Sequence, residues 1–238
     1  MRRYLNKIKI IAMFSLVIFL YSFSSIRNNK KFVSDIKINF IGTDNFYIKK
    51  STVDKLLVQG TDYIKCLTRD QINLNLLESK ITSHEMIESA EVYLSINGQL
   101  KVNIVQRQPI ARVVTNKSYY IDSKGKKMPL SYEHSARVML IHGILNNSNF
   151  DSIFSLINEI KNDKFMSLYV TDILINNKNL ISMKLRDCSF DVILGDATSL
   201  KNKIRNFKAF YQKAKSNNIL NNYKTVNLQY HKQVVGIK

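Results

Sequence analysis

GQLKVNIVQRQPIARV, running from Gly98 to Val113, starts as a strand and then breaks. Leu100, Val102 and Ile104 recur at every second position, the pattern of a strand with one buried face. Pro109 has no N–H to give a sheet ladder, so the chain must turn away or change its sheet there before Ile110, Ala111, Arg112 and Val113 resume. The break predicts a join between two folded units, with Pro109 at the turn. Arg107 and Arg112 flank it, and exposed arginines at a join are expected to serve as hinge residues or surface ion pairs.

Working upstream, IESAEVYLSINGQLKVNIVQ holds two alternating runs joined by Asn97-Gly98, a strong hairpin signal because both turn residues tolerate positive φ. A helix is predicted from about Thr68, with Ile72, Leu74, Leu76 and Leu77 on its apolar side. Before it, KKSTVDKLLVQG reads as a short helix with Ser51 as N-cap and Gly60 as stop. SDIKINFIG alternates Ile36, Ile38 and Phe40 as a strand ended by Gly42. The order is strand, helix, helix, strand, strand, a compact α+β unit.

Downstream the texture changes. IARVVTNKSYYIDSKGKKMPLS reads as two strands, the second ending at Asp122, and a turn through Ser123, Lys124 and Gly125. A helix is predicted from Asn149 to Lys161, where Ile153, Phe154, Ile157 and Ile160 share a face. VTDILIN, LISMKLR and FDVILG read as strands, and Ser199 opens a helix with Leu200, Ile204, Phe207 and Tyr211 on one side. Its basic side could meet an acidic partner or lipid headgroups, although such faces are usually just solvated. Thr225 to Ile237 reads as one last strand. With nothing after it, that strand presents unpaired backbone groups along one side, either blunted or used to accept a partner's strand.

Ahead of these units, Ile10 to Ile26 is an apolar run behind Arg2, Arg3, Lys7 and Lys9 and ahead of Arg27, Lys30 and Lys31. As a helix it spans about 25 Å, slightly short of a hydrocarbon core of about 30 Å, but Lys9 can snorkel and Tyr21 and Phe23 suit the interface. A membrane anchor is therefore expected at residues 10–26, with residues 1–9 cytoplasmic and the remainder exported. Two other readings stay open: a cleaved signal peptide, for which Ser22-x-Ser24 is a weak processing site, and a soluble core helix.

The 238-residue chain is 45% hydrophobic, enough for a core, and carries 36 basic against 18 acidic residues. Seven of the basic groups lie in residues 1–31, which hold no acidic one, and much of the remainder reads as scattered lysines among Asn and Ile rather than arginine-rich clusters. Nucleic acid is not an expected partner. Cys66 and Cys188 form no CxxC pair, so a cysteine metal site is not expected, and whether they pair is open. The four histidines show no HExxH spacing, and no GxSxG or glycine-rich phosphate loop occurs. No catalytic residue, metal or cofactor is expected, and an enzyme is the weaker class of reading.

Taken together, the apolar N-terminus, the strand-helix-helix-strand-strand module and the QRQPIAR exit resemble the bacterial cell-division proteins FtsQ and DivIB. Asp122 and Gly125 stand where that family has its Ile-Asp-x-x-Gly segment, and TVNLQY is similar to its Val-Asp-Leu-Arg-Tyr, with Asn227 and Gln229 replacing the charged residues. The resemblance implies an α+β protein: a transmembrane helix, a polypeptide-transport-associated (POTRA) domain at 32–106, and a strand-rich β-domain with flanking helices at 107–238. It also implies a non-enzymatic inner-membrane scaffold of the division septum, which regulates septal peptidoglycan synthesis and binds small bitopic partners of the FtsB and FtsL type. The partner would add a strand along the edge near Val226 to Val235, with Val226, Leu228, Tyr230, Lys232 and Val234 as the partner-binding residues. A cell-envelope enzyme or exported substrate-binding protein remains the alternative, and an outer-membrane assembly factor would need several tandem modules.

Overall fold

The computed structural model describes residues 2–29, 32–42, 45–58, 64, 67–230 and 233–238. The chain divides into two compact units, Met1–Gln106 and Arg107–Lys238. Both are α+β, as the order of the sequence elements predicts.

The first unit begins with the apolar helix α1 (Arg2–Asn29). Its Lys7–Asn28 portion contains an 18-residue window of mean hydropathy 1.9 with none of its residues buried, and is 22 residues long. That length rises about 33 Å, so the helical residues flanking the apolar run make up the shortfall against a bilayer core.

After it come β1 (Asp35–Ile41), α2 (Lys50–Val58), α3 (Leu74–Thr82), β2 (Ile87–Leu94) and β3 (Gln99–Gln106). The sheet order is β1-β3-β2, with β3 parallel to β1 and antiparallel to β2. Being central, β3 buries every second residue without interruption: Leu100, Val102, Ile104 and Gln106. The two helices bury Val53, Leu57, Leu77 and Ile81. Gln106 is a polar member of this row, and its amide is used on both sides. Oε1 accepts from Tyr47 N at 2.9 Å and Nε2 donates to Ile48 O at 3.1 Å, so the end of β3 pairs with the segment leading into α2.

Three local expectations change. α3 starts at Leu74 rather than near Thr68, because the Asn73 side chain accepts from Leu76 N and caps it; Leu76 is left exposed and Ile81 takes the buried place. α2 starts at Lys50, with Lys49 O accepting from Thr52 N and Val53 N, so Ser51 lies inside the first turn rather than at the cap. The predicted stop, Gly60, lies outside the described residues. In the hairpin, Gly98 N donates to Ser95 O and only Gly98, at φ +83°, is left-handed. Asn97 keeps negative φ, so the turn spans Ser95 to Gly98 rather than Asn97-Gly98 alone.

The second unit is built on nine strands. These are β4 (Pro109–Val114), β5 (Tyr119–Asp122), β6 (Lys127–Met128), β7 (Met139–His142), β8 (Val170–Ile175), β9 (Ile181–Leu185), β10 (Asp191–Gly195), β11 (Thr225–Asn227) and β12 (Val235–Ile237). Their order is β12-β11-β10-β9-β8-β7-β4-β5-β6. Pro109 is the first residue of β4 rather than a turn residue, a place where a missing N–H leaves the ladder beyond it intact. The parallel pairs β7/β8 and β10/β11 require crossovers. α4 (Phe150–Asn162) with the short α5 (Met166–Tyr169) makes the first, and α6 (Leu200–Ser216) makes the second.

Ile153, Leu156, Ile157 and Ile160 of α4 and Leu200, Ile204, Phe207 and Tyr211 of α6 enter one core with the strands. Phe165 joins the helices there, its ring 4.5 Å from Tyr169 and 4.9 Å from Tyr211 between centroids. The ammonium of Lys208 on α6 reaches Asp163 Oδ2 at 2.5 Å, just past the end of α4. Burial pushes the Asp163 carboxyl up, but hydrogen bonds from Lys208 and from the backbone N–H groups of Met166 and Phe165 outweigh it, and the group titrates below its ordinary value.

Candidate partner-binding edge and domain junction

Arg107 and Asp122 organise the first residues of the second unit. Asp122 has no solvent exposure, and its Oδ1 accepts from Lys124 N at 2.9 Å and from Lys126 N at 2.7 Å. Its Oδ2 receives Arg107 Nη1 at 2.6 Å. A carboxylate on the first residue of the turn, accepting from the N–H groups two and four residues on, orders it, and Gly125, at φ +76°, completes it against the ring of Phe154 on α4. Since the Arg107 side chain is itself only 11% exposed, the surface ion pair expected at this join is a buried one. Arg112 is no hinge residue either. It stands inside β4, opposite Tyr120 on one side and Leu140 on the other, with its Nε shielded and without a hydrogen-bond partner.

At the other end of the sheet, the single terminal strand expected over Thr225 to Ile237 is two short strands. β11 lies between β10, to which it is parallel, and β12, to which it is antiparallel. Val226 and Leu228 are 0% and 2% exposed and belong to the core with α6, so their side chains face inward. Leu228 N donates to Ile193 O at 2.8 Å, extending the β10 pairing past β11. Tyr230 is 53% exposed, Val234 packs partly against the core, and Lys232 lies outside the described residues.

The edge at this end of the sheet is therefore β12. Among the described residues it is paired with β11 alone, and it exposes Gly236 and Ile237. A Cβ added at Gly236 would lie 2.5 Å from the ring of Tyr223, whose other neighbour is Phe210 of α6 at 5.2 Å between centroids. Sequence reading missed Tyr223. The available signal was an aromatic residue twelve positions after Tyr211 and just ahead of the strand.

Beside this edge lies a polar cleft of about 230 Å³ lined by Asp196, Thr198, Ser199, Lys203, Gln229 and Tyr230 among others. Its charges are already satisfied. Lys203 Nζ donates to Leu194 O, Asp196 O and Asp196 Oδ1, and the bonds from Lys203 and then Thr198 hold the Asp196 carboxyl down to about 2. On the sheet, His142 Nε2 and Asp172 Oδ1 stand 2.8 Å apart across β7 and β8, a pair hidden from sequence reading because β7 itself was unforeseen. No serine or cysteine joins that imidazole among the described residues, and none of them form a cluster of three or more His, Cys, Asp or Glu suited to a metal. Cys188 is a half-buried free thiol, raised by burial and then by Asp187, and Cys66 lies outside the described residues.

A span-length apolar helix, a small module with a β1-β3-β2 sheet and a larger nine-stranded sheet define a two-domain α+β protein with an N-terminal apolar helix. Comparison with protein families agrees for each part: residues 32–105 match the POTRA-like domain, and residues 108–237, more than half of the chain, match the model described as FtsQ/DivIB, C-terminal related. The chain belongs to the FtsQ/DivIB family, and is a cell-division protein of the divisome with an N-terminal helix that fits a transmembrane helix. No curated protein matches it.

Proposed function

We propose that this protein is a non-enzymatic scaffold of the inner membrane at the division septum, which links divisome components and regulates septal peptidoglycan synthesis. Residues 1–9 would lie in the cytoplasm and the apolar run 10–26, lengthened by its helical flanks, would cross the bilayer. The POTRA-like domain at 32–106 and the β-domain at 107–238 would lie outside the cytoplasm. The partners are small bitopic proteins of the FtsB and FtsL type.

The observation that carries this reading is β12, the strand at one edge of the large sheet, whose backbone pairs on one side only among the described residues. A partner segment laid along Val235–Ile237 would gain main-chain hydrogen bonds there, and side-chain contacts at Tyr230, Lys232 and Val234 would add selectivity. Val226 and Leu228 take part from beneath, as the buried residues that hold β11, and through it β12, to the core.

The test compares the full chain with a chain ending at Val234, each used to capture proteins from detergent-solubilised membranes. The full chain should recover small coiled-coil division proteins, and the shortened one should not, while keeping its far-UV circular dichroism. Equal recovery by both would move the partner surface away from this edge. Recovery of such proteins by neither would overturn the scaffold reading.

A further inference from the structure

The first unit exposes three apolar or aromatic side chains at one end: Phe32 at 62%, Ile96 at 90% and Tyr93 at 39%. Single exposed apolar residues are ordinary on any surface. These are set apart by what holds them there. Arg69 Nη1 donates to Asn28 Oδ1 at 2.8 Å, and its Nη2 donates to Ser95 O at 2.5 Å. Asn28 is the last residue of the apolar span, and Ser95 opens the turn that carries Ile96. One guanidinium thus fixes the tip of the β2–β3 hairpin beside the end of the helix.

Phe32 is held at the same level. Ser34 N donates to Gly98 O at 2.9 Å, and a Cβ at Gly98 would stand 3.2 Å from Phe32 O, so the turn and the start of the module lie against each other. Lys101 Nζ sits 5.9 Å from the centre of the Tyr93 ring, and Arg27 lies in the last turn of α1. Aromatic and basic side chains at the end of an apolar span are the residue types that settle at a membrane–water interface.

We infer that the hairpin tip and Phe32 rest in the lipid headgroup layer, giving the protein a second, shallow membrane contact beside its span. This rests on reading α1 as a bilayer span. The exposed carboxylate of Asp35, paired in register with Gln99 at this end of the sheet, keeps the contact at headgroup depth rather than in the acyl core. Its consequence is mechanical. Tethered at two points, the module would keep one orientation to the membrane.

The chain contains no tryptophan, so each introduced indole reports alone. Full-length Ile96→Trp, Glu85→Trp and Phe19→Trp proteins would be reconstituted in phosphatidylethanolamine and phosphatidylglycerol vesicles with or without acyl-brominated lipid. Glu85 is exposed just ahead of β2, about 25 Å along the strand from the tip. Bromination near the headgroup should quench Ile96→Trp about two-fold and leave Glu85→Trp unchanged, as an interfacial depth requires. Phe19→Trp should respond to bromines placed deep in the chains. Quenching of Phe19→Trp without quenching of Ile96→Trp would overturn the headgroup contact and leave the span standing. A blue-shifted Ile96→Trp indifferent to bromine would put the tip against protein, a second copy or a partner, and overturn it as well. An unquenched Phe19→Trp would overturn the span and this contact together.

Discussion

Replacing Asp122 by alanine would leave the Arg107 guanidinium, 11% exposed, without its counter-charge and would free Lys124 N and Lys126 N from their acceptor. Breaking a buried ion pair from one side costs about 3–5 kcal/mol, because the remaining charge stays desolvated. Asp122→Ala should therefore lower the unfolding free energy of the second unit, read from its urea transition, by that order, and Asp122→Asn, which keeps an oxygen for the turn N–H groups, should lower it by less. Equal midpoints for Asp122→Ala and wild type would mean that the pair contributes nothing to stability. The Ile-Asp-x-x-Gly resemblance located this carboxylate, but its burial was not legible. A lone Asp before a Gly-containing turn reads the same whether exposed or covered, and its burial here depends on the packed fold, in which Phe154, about thirty positions later, meets Gly125 of the same turn.

At the scale of elements, β12 passes so close to the Tyr223 ring that position 236 leaves no room for a side chain. Gly236→Val should push β12 off Tyr223, since even a β-carbon would sit 2.5 Å from the ring. Overpacking of this kind costs about 1–3 kcal/mol. In hydrogen exchange, amides of Val235–Ile237 should lose protection while those of β8 and β9 keep theirs, and recovery of the bitopic partners should fall. Adding Tyr223→Ala to Gly236→Val should restore part of that protection by removing the clash. No change in protection on Gly236→Val would show that the ring can yield.

The helices α4 and α6 and the run β8-β9-β10 were legible in the sequence, because their buried residues recur at the period of a single element. β7 was not: four residues carry too little alternation to register, and its partners β4 and β8 are both parallel neighbours from elsewhere in the chain. The terminal edge was misread for a related reason. Side chains of a strand project to its two faces, so the apolar alternation through Val226 and Leu228 marked a buried face, whereas an open edge is made of backbone groups in the plane of the sheet. The polar run Gln229 to Gln233 was the sign of a connection between two strands, though it contains no glycine.

For the whole molecule, the formal charge of +18 and the depressed carboxylates act in the same direction on acidification. Asp163 titrates below its ordinary value and Asp196 at about 2, so each binds protons more readily in the unfolded chain. A depressed folded value contributes stability that is present above the unfolded pKa, near 4, and is lost as pH falls through the folded one. Protonating the other carboxylates over the same range raises the positive charge and its self-repulsion. The melting temperature should hold from neutral pH to about 4 and fall steeply towards pH 2. Salt separates the two causes. Screening relieves net repulsion, so added salt should soften the fall, but it cannot restore the Lys208–Asp163 hydrogen bond once the carboxyl is protonated. Asp163→Asn should accordingly lower the melting temperature at pH 7 and flatten its pH dependence, leaving the salt-sensitive part in place. A variant that melts with the wild-type pH profile would show that Asp163 adds nothing to acid sensitivity, leaving Asp196 and the charge repulsion of a +18 chain to account for it.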